Sequence, residues 1–199
     1  MNSKFFTAKN VALLGILTGL VIVLQLFASA IPMFGVTLNF SLIPIALAGI
    51  MMGWLGGTIV GFACGFVVFI TMAVLGQEPS TAFLFQTDPY ILSFMCIGKT
   101  TLAGAVSGLL CKYISKYNRA VAVGISSLII PIINTGVYML GMVLMKSSVA
   151  QFLNLDVSTA SVVFAVVFGI IWLNFIVEII INTLFTPILY RVIKVIDKR

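Results

Sequence analysis

Apolar residues run along this chain in long unbroken blocks, with polar positions confined to short gaps between them. Blocks of about 20 apolar residues are the length a helix needs to cross a bilayer core. The pattern predicts six such helices, at 8–31, 38–54, 56–75, 90–115, 120–145 and 161–192. Pro32 and Gly35 end the first. Only Gly53-Trp54-Leu55-Gly56-Gly57 separates the second from the third, which predicts a very tight turn. The second is short and contains Pro44; the sixth is longer than a bilayer requires and is expected to project beyond it or to start after residue 161. The fold class is therefore an all-α integral membrane protein, a six-transmembrane-helix bundle forming a single domain over residues 1–199.

Composition agrees: 61% of the residues are hydrophobic and 8% charged, against roughly 25% charged in soluble domains. The net charge of +6 does not signal nucleic acid, because the cations sit at helix ends and not on a soluble basic face. Their placement sets orientation instead. Lys4, Lys9, Lys112, Lys116, Arg119, Arg191, Lys194, Lys198 and Arg199 fall on one side of the bundle and only Lys146 on the other. Both termini are accordingly expected in the cytoplasm, with the chain in a bacterial plasma membrane. The opening Lys4, Lys9 and Ala28-Ser29-Ala30 imitate a signal peptide, but the apolar stretch from Val11 to Phe27 is longer than a signal core and reads as a retained first helix.

The chemical inventory is sparse. There is no histidine, the spacing of Cys64, Cys96 and Cys111 fits no metal motif, and no phosphate-binding loop for ATP is present. Neither a cofactor nor a metal is expected, nor any ATP hydrolysis by this chain. Small residues recur at four-residue steps: Gly15 and Gly19, then Gly57, Gly61 and Gly65, then Gly104 and Gly108. Such steps let helix backbones approach closely, and internal packing is the expected use of most of them.

Two charges lie within spans, Lys99 in the fourth and Glu178 in the sixth. Ionisable groups at that depth face a partner or a cavity. From the predicted spans the two differ in depth by roughly 12 Å, so an ion pair and separate contacts to a ligand both stay open. Asn174, Glu178 and Asn182 share one helix face, expected to point inward. Asn134, Thr135 and Tyr138 follow Pro131 in the fifth span. Candidate substrate-binding residues are Lys99, Asn134, Tyr138, Asn174 and Glu178. The outer connections Ile31–Leu38 and Gly76–Pro89 are candidate lids, the second with Phe83, Phe85 and Tyr90, which serve equally as interfacial anchors.

These features resemble the substrate-binding (S) component of an energy-coupling factor (ECF) vitamin transporter. The resemblance rests on Ala8-Lys9-Asn10-Val11-Ala12, on Leu38-Asn39-Phe40-Ser41-Leu42-Ile43-Pro44 leading into Met52-Gly53-Trp54-Leu55-Gly56-Gly57, and on Pro131-Ile132-Ile133-Asn134-Thr135-Gly136 and Asn174-Phe175-Ile176-Val177-Glu178. Within the family it is most similar to the pantothenate type. The resemblance implies a subunit that captures a vitamin in its outer half. Ala8 and Ala12 would dock on a transmembrane coupling subunit (EcfT), and two partner ATPases would drive rotation of the whole S component. The AxxxA is not extended by a third alanine, since Ile16 stands at the next step; Gly15 and Gly19 would continue the small face. Lys99 would meet the pantothenate carboxylate, and Asn134, Tyr138 and Asn174 its hydroxyls and amide.

Three other readings compete. An S component for riboflavin, a thiamin precursor or a pyridoxine-like compound keeps the class and changes the ligand. An autonomous small solute carrier or membrane enzyme predicts activity in liposomes without ATPase partners. A purely structural subunit predicts no saturable ligand binding.

Overall fold

The computed structural model describes residues 5–29, 32–33, 36–37, 39–155 and 160–197. Lys4, Asp156, Lys198 and Arg199, and positions 31, 34, 35 and 38 of the first candidate lid, lie outside them. Among the described residues five helical segments are long and apolar enough to cross a membrane: Ala8–Phe27, Leu42–Val74, Pro89–Ile114, Arg119–Leu144 and Ile171–Val195.

The first helix, α1 (Ala8–Ser29), turns Leu14, Leu17, Val21 and Gln25 toward the bundle at three- and four-residue steps. Ile16, Leu20 and Phe27 stay exposed on its other faces. Apolar surface of that extent around a helix suits lipid and not water. An antiparallel pair, β1 (Pro32–Met33) and β2 (Val36–Thr37), leads from α1 toward the next helix.

The predicted second and third spans form one helical run, α2 (Leu42–Val68), continued by a π-helical turn, Phe69–Val74. The run doubles back at Gly53, whose φ of 72° and ψ of −166° open a conformation that side chains rarely tolerate. The contacts with α4 (Pro89–Ile114) show the reversal. Before Gly53, a Cβ built on Gly104 would stand 3.0 Å from Ile45, one built on Gly49 would stand 3.1 Å from the Gly108 nitrogen, and Cys111 Sγ lies 4.0 Å from the Ile50 carbonyl. Numbers rise together, so this arm runs parallel to α4. After Gly53 they run oppositely: Gly57 meets Gly104, Gly61 meets Thr100, and Gly65 meets Ile97. A Cβ on Gly57 would also stand 3.1 Å from Gly49 Cα, whereas eight residues of straight helix span about 12 Å. The tight turn expected over five residues is thus made by Gly53 alone. The arm before it, 42–52, is only about 16 Å long.

The glycine steps of the third and fourth predicted helices are therefore packing seams. Built Cβ atoms at Gly57, Gly61 and Gly65 would fall 2.1, 2.3 and 2.6 Å from α4 backbone, too close for any side chain. Thr100 Oγ1 adds a 2.7 Å hydrogen bond to the Gly61 carbonyl across the seam. Gly15 and Gly19 differ, since nothing among the described residues lies within 4 Å of either.

The stretch expected to be a loop at Gly76–Pro89 is a helix instead, α3 (Pro79–Thr87). Gly76, at φ 68°, turns the chain into it and Pro79 opens it. Beyond α5 (Arg119–Leu144), with Pro131 inside it and Asn118 Oδ1 capping its first turn, the connection to the last helix also contains a short helix, α6 (Lys146–Phe152). Phe83 of α3 packs on Phe152 of α6, and Ser148 donates a hydrogen bond to Asp88. The last helix, α7 (Ala160–Asp197), has 38 residues, about 57 Å. Glu178 of α7 and Lys99 of α4 line one cavity, so the depth mismatch expected from the predicted spans does not keep them apart.

Lys9, Met51, Met52, Arg119 and Ile193 surround one groove. The start of α1, the turn before Gly53, the α4–α5 connection and the end of α7 thus share one end of the bundle. The α3–α6 contact belongs to the opposite end, across α4 and α5.

Candidate ligand-binding site

Toward the end capped by α3 and α6, the bundle forms a partly open cavity lined by both polar and apolar residues. The five residues singled out from the sequence, Lys99, Asn134, Tyr138, Asn174 and Glu178, all line it. They converge for a helical reason. Asn134 and Tyr138 are four apart on α5, as are Asn174 and Glu178 on α7, so each pair presents one face to the gap that α4 closes with Lys99.

Glu178 is 2% exposed and well supported. Asn174 Nδ2 donates to one carboxylate oxygen at 3.3 Å and Thr135 Oγ1 to the other at 3.5 Å. Asn182, the next residue of the row, is buried too, but its Nδ2 turns back to the Glu178 carbonyl at 2.9 Å and it does not line the cavity. Lys99 Nζ lies over the Tyr138 ring, 4.8 Å from its centroid, a cation–π arrangement. Glu178 is within electrostatic reach of that ammonium, without an ion pair between them.

Of four buried side-chain oxygens without a partner among the described residues, Ser126 Oγ and Asn182 Oδ1 belong to residues off the cavity and two to residues that line it. Asn134 Oδ1, on a residue 5% exposed, and Asn39 Oδ1 make no hydrogen bond, and both residues line the cavity. A buried carbonyl oxygen without a donor costs about 1–3 kcal/mol, and such orphans call for an explanation. A ligand that brings O–H or N–H groups would supply the missing donors.

Five polar lining residues escaped the site expected from the sequence, one of them Thr135, beside Asn134 on α5. Gln25 comes from α1, where its Oε1 accepts from Ser41 Oγ at 3.3 Å. Asn39 precedes α2. Glu78 and Thr81 come from the start of α3, and Thr81 Oγ1 donates to Glu78 at 2.8 Å. Met72 lies in the π-helical turn beside the cavity; turns of this kind cluster at functional sites.

The aromatics of the candidate lid do not line the cavity. Phe85 stands edge-on to Phe69 with ring centroids 5.3 Å apart, Phe83 packs on Phe152, and Tyr90 is 88% exposed. The part of that segment facing the cavity is polar, Glu78 and Thr81. Ala8 and Ala12 lie on the exposed side of α1 with Gly15 and Gly19, away from the cavity.

A helical membrane bundle with a polar cavity at one end has the form of a solute-capturing subunit. The family described as "ECF transporter, substrate-specific component" matches residues 9–190. The chain belongs to this family. No curated protein and no solved structure matches it. An S component is a transporter subunit and not an enzyme, and ATPase activity lies in partner subunits. The absence of any phosphate-binding loop fits that division of labour.

Proposed function

We propose that this S component captures a vitamin from outside the cell and delivers it to an ATP-driven importer. The supporting observation is the convergence of Lys99, Asn134, Tyr138, Asn174 and Glu178 on one cavity that holds two unpartnered amide oxygens. Ionisable residues at membrane depth that face a cavity mark substrate pathways. The chain makes six passes, the arms on either side of Gly53 counting as two, with both termini in the cytoplasm. The excess of Lys and Arg at the end shared by Lys9 and Arg119 supports that orientation. The cavity then opens outward, and the small face of Ala8, Ala12, Gly15 and Gly19 docks on the transmembrane coupling subunit, which two ATPases drive.

The ligand we propose is pantothenate. Its carboxylate would meet Lys99, and its two hydroxyls would donate to Asn134 Oδ1 and Asn39 Oδ1, the acceptors that lack partners. A second reading is favoured by Glu78, which adds a second carboxylate to the lining: a vitamin with a cationic ring, of the thiamin or pyridoxine kind. Titration calorimetry of the purified protein against pantothenate, riboflavin, thiamin and pyridoxine decides. Saturable pantothenate binding is the expected result. Tight binding of another vitamin replaces the ligand and keeps the class; no binding across the panel overturns the proposal.

A further inference from the structure

The cavity carries more negative than positive charge. Among its described lining residues Lys99 is the one cation, against Glu78 and Glu178. The two carboxylates differ in how they are held. Glu178 is buried and met by two side-chain donors. Glu78 stands where the π-helical turn passes into α3, and hydroxyls of its own turn reach it, Thr81 Oγ1 at 2.8 Å and Ser80 Oγ at 3.3 Å. It lines the same cavity as Tyr138 and Cys96, the residues one helical turn from Asn134 and Lys99 on α5 and α4. Glu78 therefore borders the same space as Lys99 and Tyr138.

Resting on the proposed vitamin-binding role, we infer that Glu78 tunes the charge selectivity of this site, lowering the affinity that Lys99 gives an anion such as pantothenate, raising that of a cation, and leaving neutral ligands unaffected. The physical reason is the geometry of opposed charges. An anion seated at Lys99 gains that ammonium but lies in the field of a carboxylate held by hydroxyls and not by a cation. In a partly dehydrated cavity such fields act over several ångströms with little screening. A neutral ligand of the same shape does not sense the field, and a cation gains from it. A hydrogen-bond cap on the first turn of α3 is the alternative role for Glu78, and it would treat all ligands alike.

The test compares wild type with Glu78→Gln, which keeps an acceptor oxygen for Thr81 and removes the charge. Glu78→Asp serves as the variant that retains charge, and thermal melting in detergent checks that each is folded. The probes are pantothenate, its neutral alcohol analogue pantothenol, and thiamin as a cation, titrated by calorimetry. Glu78→Gln should tighten pantothenate by ~3- to 10-fold, weaken thiamin by a similar factor, and leave pantothenol within about twofold. Glu78→Asp should keep the wild-type order. Equal shifts for charged and neutral probes, or no shift for any probe that binds, overturn the assignment while leaving the vitamin-binding role intact. Failure of every probe and of the whole vitamin panel on folded wild type overturns both.

Discussion

Replacing Gly57 with alanine tests whether the hairpin at Gly53 and its seam with α4 hold the cavity together. The added Cβ would stand 2.1 Å from the Gly104 carbonyl oxygen, 2.7 Å from its carbon, and 3.1 Å from Gly49 Cα. All three are backbone atoms, so no side-chain rotation relieves the clash. Reaching an ordinary contact of 3.4 Å requires the second arm of α2 and α4 to separate by about 1.3 Å. Overpacking of this kind costs about 1–3 kcal/mol, here on the seam that also joins Gly61 to Thr100 and Gly65 to Ile97. At about 2–4 °C per kcal/mol for a chain of this size, the melting midpoint in detergent should fall by about 2–12 °C. Ligand affinity should fall with it, because Lys99 and Cys96 of α4 and Val68 and Met72 at the end of the arm line the cavity. Gly19→Ala is the control: a Cβ built there meets nothing among the described residues within 4 Å, so its midpoint should be unchanged or raised. If Gly57→Ala melts with the wild type and binds ligand equally well, the seam does not carry the stability assigned to it.

The remaining predictions concern binding and docking. Lys99→Met removes the cation assigned to the ligand's carboxylate, and calorimetry should show affinity for pantothenate reduced by about 10- to 150-fold, the equivalent of one charge-assisted hydrogen bond; unchanged affinity removes Lys99 from the site. Asn134→Leu should weaken binding by about 5- to 10-fold yet leave the melting midpoint of the unliganded protein unchanged or raised, since the amide oxygen it deletes has no partner there. A fall in stability without a change in affinity would show that the amide serves the fold and not the ligand. Ala8→Leu with Ala12→Leu should leave ligand binding unaltered while uptake by the reconstituted importer falls by about tenfold or more, as bulk on a close-packed helix face demands; full uptake would place the docking surface elsewhere.

Periodicity and topology decide which parts of the site are legible in the sequence. Glu178 and Asn174 are readable because a lipid solvent leaves few polar residues inside helices, so a row at four-residue steps stands out against an apolar background. Lys99 is readable for the same reason. Gln25 lies near the end of an apolar block where polarity is unremarkable; in the fold it accepts a hydrogen bond from Ser41 and lines the cavity. Asn39 and Glu78 sit outside helices, so no period marks them; their approach depends on the turn at Gly53 and on the fold of residues 76–87. Glu78 does leave a trace. Glu-Pro-Ser-Thr at 78–81 is the start signal of a helix, and it converts the expected loop into α3. That helix also explains why the lid aromatics miss the cavity. Phe83 and Phe85 are two apart, so on a helix they diverge, one to Phe152 and the other to Phe69, while Thr81 and Leu84 turn inward. An extended loop would have sent Phe83 and Phe85 the same way. One helix in place of a loop thus moves a carboxylate from solvent to the cavity, and with it the sign of the charge a ligand meets there.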